Sequence, residues 1–274
     1  MALYLIGIGL YDEKDITLRG LEAVKAADVV YVEHYTSILN CSQEDLEAFY
    51  GREVHMASRN LVEQEADEKL IATAKDKDVA LLIVGDVFGA TTHTDLVLRA
   101  KKAGVQTKVI YNASVMSAIG ATGLELYKFS KTTSIVFPDN NWLPDTPYNV
   151  IFQNQEQGLH TLCLLDIKVA EASAQEIRES AISGRQAKTS PPRYMTIAQA
   201  LDVLLRLEEK HQKGLITKDT LAVGVARLGH PDELIVAGTI AQLQETDFGG
   251  PLHSLIIPGK LHVVEQEALD MFKN

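Results

Sequence analysis

The sequence predicts an α/β protein built of two α/β domains, and three observations carry that prediction. Strand-like and helix-like runs alternate through the first half, the signature of a mostly parallel sheet with helices on its faces. Val79–Val84 is apolar at every position, as a strand buried on both faces must be. The organisation then changes near residues 111–114, which sets the boundary between domains 1–112 and 113–274. A chain of 274 residues is long enough for each domain to bury its own core.

Taken in order, Leu3–Ile8 is a short apolar strand that runs into Gly7-Ile8-Gly9. Thr17 caps a helix carrying Leu18, Leu21, Val24 and Ala27 at helical spacing, and the β-branched run Val29–Val32 is the second strand. Ser42 caps a helix over Gln43–Tyr50, and Glu53–Met56 is a short strand. Asn60 followed by Glu63 makes a capping-box pattern ahead of a helix through Lys75. After the strand Val79–Val84 come a helix over Asp95–Ala103 and a strand over Gln106–Tyr111.

In the second half Ser114 starts an Ala- and Gly-rich helix over Val115–Leu124, and Thr133–Phe137 is a strand. The turn-rich stretch Pro138–Pro147 leads to a helix closed by Gly158, then a strand over His160–Asp166. Residues 167–195 show only a weak helical period near Ala172–Ile182. Thr196 caps a long amphipathic helix through His211. Strands over Thr220–Arg227, Leu234–Ile240 and Ser254–Ile257 and a short C-terminal helix complete the chain.

Composition narrows the function classes. Hydrophobic residues make up 46% and charged residues 23%, ordinary for a globular protein. The net charge of −11 argues against a nucleic-acid groove, which needs clustered Lys and Arg. Only Cys41 and Cys163 occur, the latter in an apolar run that reads as a buried free thiol, and no Cys/His set has zinc spacing, so no metal is expected. The apolar N-terminus reads as a strand rather than a signal peptide, and no apolar run spans a bilayer; the expected location is the cytoplasm, with no membrane contact.

Ligands of open α/β sheets bind beyond the carboxyl ends of strands, which directs attention to three strand ends. Gly7 and Gly9 permit close backbone approach or simply a tight turn; the spacing is not G-x-G-x-x-G. Asp86, between Gly85 and Gly89 and ahead of Thr91, Thr92 and His93, offers a carboxylate for ribose hydroxyls or an ammonium, or an Asx-turn. His93 reads as a structural donor. Ser114 and Val115 stand at a helix start, either as backbone donors to a ligand or as a plain N-cap. Asp166 and His253, at strand termini, are further candidates. No Ser-His-Asp set, P-loop lysine or carboxylate pair is legible. That pattern suits methyl transfer, in which a sulfonium is already a good leaving group and positioning dominates.

Together, Leu3–Leu10, Asp15–Thr17, Glu33–Ser37, Gly89–His93, Gly158–Lys168, Pro191–Met195, Gly249–His253 and Pro258–His262 resemble, in this order, the tetrapyrrole-methylase-like methyltransferases. Within them the likeness is to the diphthine synthase family, its eukaryotic branch, over essentially the whole chain. The resemblance implies a homodimer with S-adenosyl-L-methionine folded into a cleft between two domains. It implies cofactor contacts at Leu10, Asp86, Gly89, Ser114, Val115, Leu165, Ala226 and His253. One departure stands out: Val87 replaces the proline usual after the aspartate, and this loosens a loop that proline would stiffen.

The substrate implied is translation elongation factor 2, at a histidine carrying a 3-amino-3-carboxypropyl group. Three methyls go to the amine and, in the eukaryotic branch, a fourth to the carboxylate. The catalytic residues are not identified; water or Asp166 serves as the candidate base. Lys168, Arg185, Lys188 and Arg193 make 167–195 the candidate docking element, against a plain solvated loop. Other readings stay open at this point. They are a tetrapyrrole-type small-molecule methyltransferase, a non-catalytic module binding elongation factor 2, and a nicotinamide dehydrogenase, disfavoured by the missing third glycine.

Overall fold

Leu3–Gly7 (β1) is an interior strand of a five-stranded sheet because its side chains are apolar on both sides: Leu3 and Leu5 enter one core layer, Ile6 and the following Ile8 the other. The computed structural model describes residues 1–33, 35, 37–138, 142–169 and 191–273, and the chain forms two units, Met1–Ala118 and Ile119–Asn274.

In the first unit, α1 (Leu18–Ala26), β2 (Val29–Glu33), α2 (Gln43–Tyr50), β3 (His55–Ala57), α3 (Arg59–Glu63), β4 (Val79–Ile83), α4 (His93–Lys102) and β5 (Thr107–Ile110) follow β1. The sheet order is β3-β2-β4-β1-β5 and every pairing is parallel. All five residues of β4 are buried, as its continuous apolar run requires. Val24, Leu46 and Tyr50 of α1 and α2 pack on one face; Val62, Leu96 and Ala100 of α3 and α4 pack on the other. The loops leaving the neighbouring strands β1 and β4 therefore lead to opposite faces and open a crevice at their carboxyl ends.

Capping chemistry sets the helix starts. Thr17 Oγ1 accepts from the Gly20 N–H at 3.0 Å, and Ser42 and Asp45 form a reciprocal capping box. The expected box at Asn60 is corrected. Ser58 caps α3 by accepting from the Leu61 N–H, while the Asn60 side chain donates to Glu65. The helix also stops at Glu63, and a π-helical turn over Asp67–Ile71 and a 3-10 turn over Thr73–Lys75 replace its expected continuation.

The helix expected over Val115–Leu124 is similarly shortened to α5 (Val115–Ala118), followed by a 3-10 turn over Ile119–Thr122. The second unit contains β6 (Thr133–Ile135), α6 (Thr146–Glu156), β7 (Thr161–Leu165), β8 (Ile167–Lys168), β9 (Arg193–Tyr194), α7 (Ile197–His211), β10 (Leu221–Ala226), β11 (Leu234–Thr239), α8 (Ile240–Glu245), β12 (His253–Ile257) and α9 (Val263–Asp270). Its sheet runs β11-β10-β12-β7-β6, antiparallel except for the β6–β7 pair. Ile240, read as the end of a strand, instead opens α8, because Thr239 and Gln242 form a capping box there. Along α7, Ile197, Ala200, Leu201, Leu204 and Leu207 recur at helical spacing and bury one stripe against the sheet. Cys163 is a buried free thiol.

Among the described residues no helix is long and apolar enough to cross a membrane. The weak helix at Ala172–Ile182, together with Arg185 and Lys188, lies outside the described residues. The flanks of that segment pair: Ile167 faces Tyr194, and Lys168 faces Arg193.

Candidate functional site

In the first unit the carboxyl ends of β4, β1 and β5 lie side by side and are tied to one another by backbone and short polar side chains. Gly9 and Gly85 exchange hydrogen bonds: the Gly9 N–H donates to the Gly85 carbonyl at 3.2 Å and the Gly85 N–H to the Gly9 carbonyl at 2.6 Å. Both residues sit at positive φ, +81° and +84°, where a side chain is strained. The loop after β1 curls around Asp15, whose Oδ2 accepts from the Leu10 N–H at 3.0 Å and the Tyr11 N–H at 2.8 Å. The Leu10 N–H is thus engaged within the loop.

Asp86 does two things at once. Its Oδ1 accepts from the Phe88 N–H at 2.9 Å, the Asx-turn foreseen from sequence, while Oδ2 accepts from the Asn112 N–H at 3.0 Å and so clasps the β4 loop to the end of β5. Each carboxylate oxygen keeps a second lone pair for a ligand donor. Gly89 lies so close to Ser114 that a Cβ there would fall 2.5 Å from Ser114 Oγ. Ala90, next to it, adopts φ +62°, a strained value for alanine. Ser114 holds the N-cap position, its carbonyl accepting from the Ala118 N–H at 2.9 Å. Ser117 Oγ accepts from the Ser114 N–H at 3.2 Å and secures the helix start, while Ser114 itself is buried beside Gly89. Val115 follows, half-buried. Phe88 and Tyr111, both exposed, form an aromatic pair with ring centroids 6.4 Å apart beside this site.

Asn112 is the residue that sequence reasoning passed over. Its Nδ2 donates to the Gly7 carbonyl at 3.0 Å and the Asp15 carbonyl at 2.9 Å, and with its backbone N–H on Asp86 it joins all three loops. His93 is structural, as expected: Nε2 meets Glu33 Oε2 at 3.0 Å and Nδ1 meets the Val87 carbonyl at 3.1 Å, all buried. Burial opposes its charge, but the Glu33 carboxylate outweighs that and raises its pKa. Val87, at the position of the expected proline, is fully buried in the core.

In the second unit three expected contacts meet at one end of the sheet. Ala226, last in β10, is the register partner of His253, first in β12. The next pair along, Ser254 with Leu164, places Leu165 beside His253 on the β7 side. Leu165, Ala226 and His253 are all buried. Burial lowers the His253 pKa and so favours the neutral imidazole. Asp166 is a clasp in this fold: Oδ2 accepts from the Phe137 N–H at 2.9 Å, and its carbonyl accepts from the Met195 N–H. Arg193 stacks its guanidinium over Phe137 at 4.1 Å from the ring centroid.

The residues present fit a nucleoside-bearing cofactor. Asp86 keeps free lone pairs, and His253 Nδ1 is a buried polar atom with no hydrogen-bond partner among the described residues; both suit a ligand that donates hydrogen bonds.

A family model for Tetrapyrrole (Corrin/Porphyrin) Methylases matches residues 2–244. Diphthine methyl ester synthase of Aspergillus fumigatus is 54% identical over 265 residues, covering 96% of this chain and 91% of that protein. The Homo sapiens diphthine methyl ester synthase is 50% identical over 275 residues, covering 98% and 94%. A crystal structure of diphthine synthase superimposes with a TM-score of 0.83 at 37% identity, over 100% of this chain and 96% of that one.

Proposed function

This chain belongs to the tetrapyrrole methylase family and is a methyltransferase, and on that premise we propose that it uses S-adenosyl-L-methionine to methylate elongation factor 2 in diphthamide biosynthesis. The observation that carries the reading is the glycine cradle at the ends of β1, β4 and β5, in a chain half identical over almost its whole length to diphthine methyl ester synthases.

The cofactor contacts of this proposal are Leu10, Asp86, Gly89, Ser114, Val115, Leu165, Ala226 and His253. The cofactor supplies an electrophilic methyl on a sulfonium. The protein's part is positioning. Asp86, fixed by the Phe88 and Asn112 N–H groups, presents an acceptor that does not have to reorganise on binding. The glycines at Gly7–Gly9 and Gly85–Gly89 let the three loops pack directly on one another, which fixes Asp86 in place. The paired flanks Ile167–Lys168 and Arg193–Tyr194 frame the segment assigned to docking of elongation factor 2, and the homodimer is proposed with it.

The test is methyl transfer from radiolabelled S-adenosyl-L-methionine to elongation factor 2 bearing the unmethylated 3-amino-3-carboxypropyl-histidine. Label on the factor, lost in a D86A variant that stays folded, supports the proposal. Label on a porphyrinoid but not on the factor would move the chain to small-molecule chemistry.

A further inference from the structure

Arg227 immediately follows the cofactor-contact position Ala226, and it adopts φ +50°, a left-handed conformation that arginine rarely takes. Its guanidinium is spent inside the chain. Nε donates to Asp232 Oδ2 at 2.6 Å and Nη2 to the Asp232 carbonyl at 3.0 Å. Nη1 donates to the Phe248 carbonyl at 2.6 Å and to the Gly250 carbonyl at 2.7 Å. The backbone N–H of Arg227 donates to the Leu252 carbonyl at 2.8 Å. Gly249 has to be glycine-sized here, since a Cβ would approach Arg227 Nη1 to 3.2 Å at φ +69°. Arg227 therefore holds the loop from Phe248 to Leu252 at three carbonyls, two through its guanidinium and one through its backbone N–H.

The consequence falls on His253. The Gly250 carbonyl that Arg227 holds also faces His253 Nε2, at 2.9 Å. A carbonyl only accepts, so Nε2 carries the ring proton, and in a neutral imidazole Nδ1 is then a bare lone pair. That atom is buried and has no partner among the described residues. A buried acceptor left open points to a donor brought by a ligand.

We propose that Arg227 is a positioning residue for cofactor capture: by holding the Gly250 carbonyl against His253 Nε2–H, it fixes the tautomer whose Nδ1 accepts a hydrogen bond from an N–H or O–H of the bound cofactor. This rests on the methyl-donor reading above. Lysine cannot replace the arginine fully, because one ammonium on a flexible stem does not span the Phe248, Gly250 and Asp232 oxygens in one geometry.

The experiment is nitrogen-15 NMR of the His253 ring in the full chain, with S-adenosylhomocysteine as probe, beside binding titrations of the wild type, Arg227→Lys and Arg227→Met. Expected are the Nε2-protonated tautomer in the free protein and an Nδ1 resonance that moves upfield on binding. Loss of one buried hydrogen bond predicts affinity weakened about tenfold or more in Arg227→Met, with mixed tautomers and a smaller loss in Arg227→Lys. An Nδ1-protonated ring in the wild type, an Nδ1 resonance unmoved by a ligand that binds, or a folded Arg227→Met chain with wild-type affinity overturns the inference. The wild-type spectra decide it even if Arg227→Met fails to fold. A wild-type chain that does not bind S-adenosylhomocysteine overturns the methyl-donor reading itself, and this inference with it.

Discussion

Gly89→Ala is the substitution whose outcome the geometry fixes most tightly. The new Cβ would lie 2.5 Å from Ser114 Oγ and 2.8 Å from Ser114 Cβ, whereas carbon atoms in good contact stand about 3.5–4.0 Å apart. Rotating the Ser114 hydroxyl relieves the first overlap. It does not relieve the second, because Cβ is fixed to the backbone, so the β4 loop or the start of α5 has to shift by about 1 Å. Overpacking of this kind costs about 1–3 kcal/mol. If about 2 kcal/mol of it appears as lost cofactor binding, the dissociation constant rises roughly 30-fold. Calorimetric titration with S-adenosylhomocysteine and urea unfolding measure the two parts. Ser114→Gly in the same chain removes the obstructing atoms, so the double variant should regain at least half of the lost stability, a coupling of about 0.5–3 kcal/mol. A Gly89→Ala protein with wild-type stability and affinity, or a double variant no more stable than Gly89→Ala, would refute the packing argument.

Asp86→Asn keeps one acceptor oxygen but turns an amide NH2 toward either the Phe88 or the Asn112 N–H; urea unfolding should show a loss of about 1–3 kcal/mol, and an unchanged midpoint would contradict the clasp. Acid should weaken the second unit through Glu265. Burial alone would raise its carboxyl, but the His262 N–H, the Lys128 ammonium, the Glu125 N–H and His160 together hold it at about 2 against an ordinary 4.5. A carboxyl depressed in the folded state adds stability above the unfolded value, and that contribution, about 3 kcal/mol, is lost as pH falls from 4.5 towards 2. Unfolding free energies across that window should show the loss, and Glu265→Gln should flatten it; equal slopes would count against the assignment. Val87→Pro leaves the Val87 carbonyl available to Thr91 Oγ1 and His93, so the loop stiffens, and S-adenosylhomocysteine should bind about 2- to 5-fold tighter; weaker binding would mean that the buried valine side chain matters more than loop entropy.

The strands and most caps were legible because they rest on local chemistry. Thr17, Ser42 and Thr196 cap where their hydroxyls meet the N3 amide, and the unbroken apolar run of β4 announces burial on both faces. The misread start at Asn60 shows the limit: Ser58, two residues earlier, competes for the same role, and the pattern alone does not rank them. Ile240 failed for the same reason, since a β-branched residue continues a strand or opens a helix according to the capping box behind it. At the site, the Gly7–Gly9 and Gly85–Gly89 glycines were visible because positive φ and close approach demand them. Asn112 and Arg227 were not. Their roles depend on loops brought together across 105 and 23 residues of chain, respectively, and no local period marks such a contact. The buried pair of His160 and Glu265 escaped notice for the same cause.

The central claim is tested most directly by the mass of elongation factor 2 carrying the unmethylated intermediate, measured after incubation with this protein and S-adenosyl-L-methionine. Four added methyl groups, falling to three under mild alkali, are the result predicted for trimethylation of the amine and esterification of the carboxylate. No added mass on the factor, from a chain that binds S-adenosylhomocysteine, would contradict the claim.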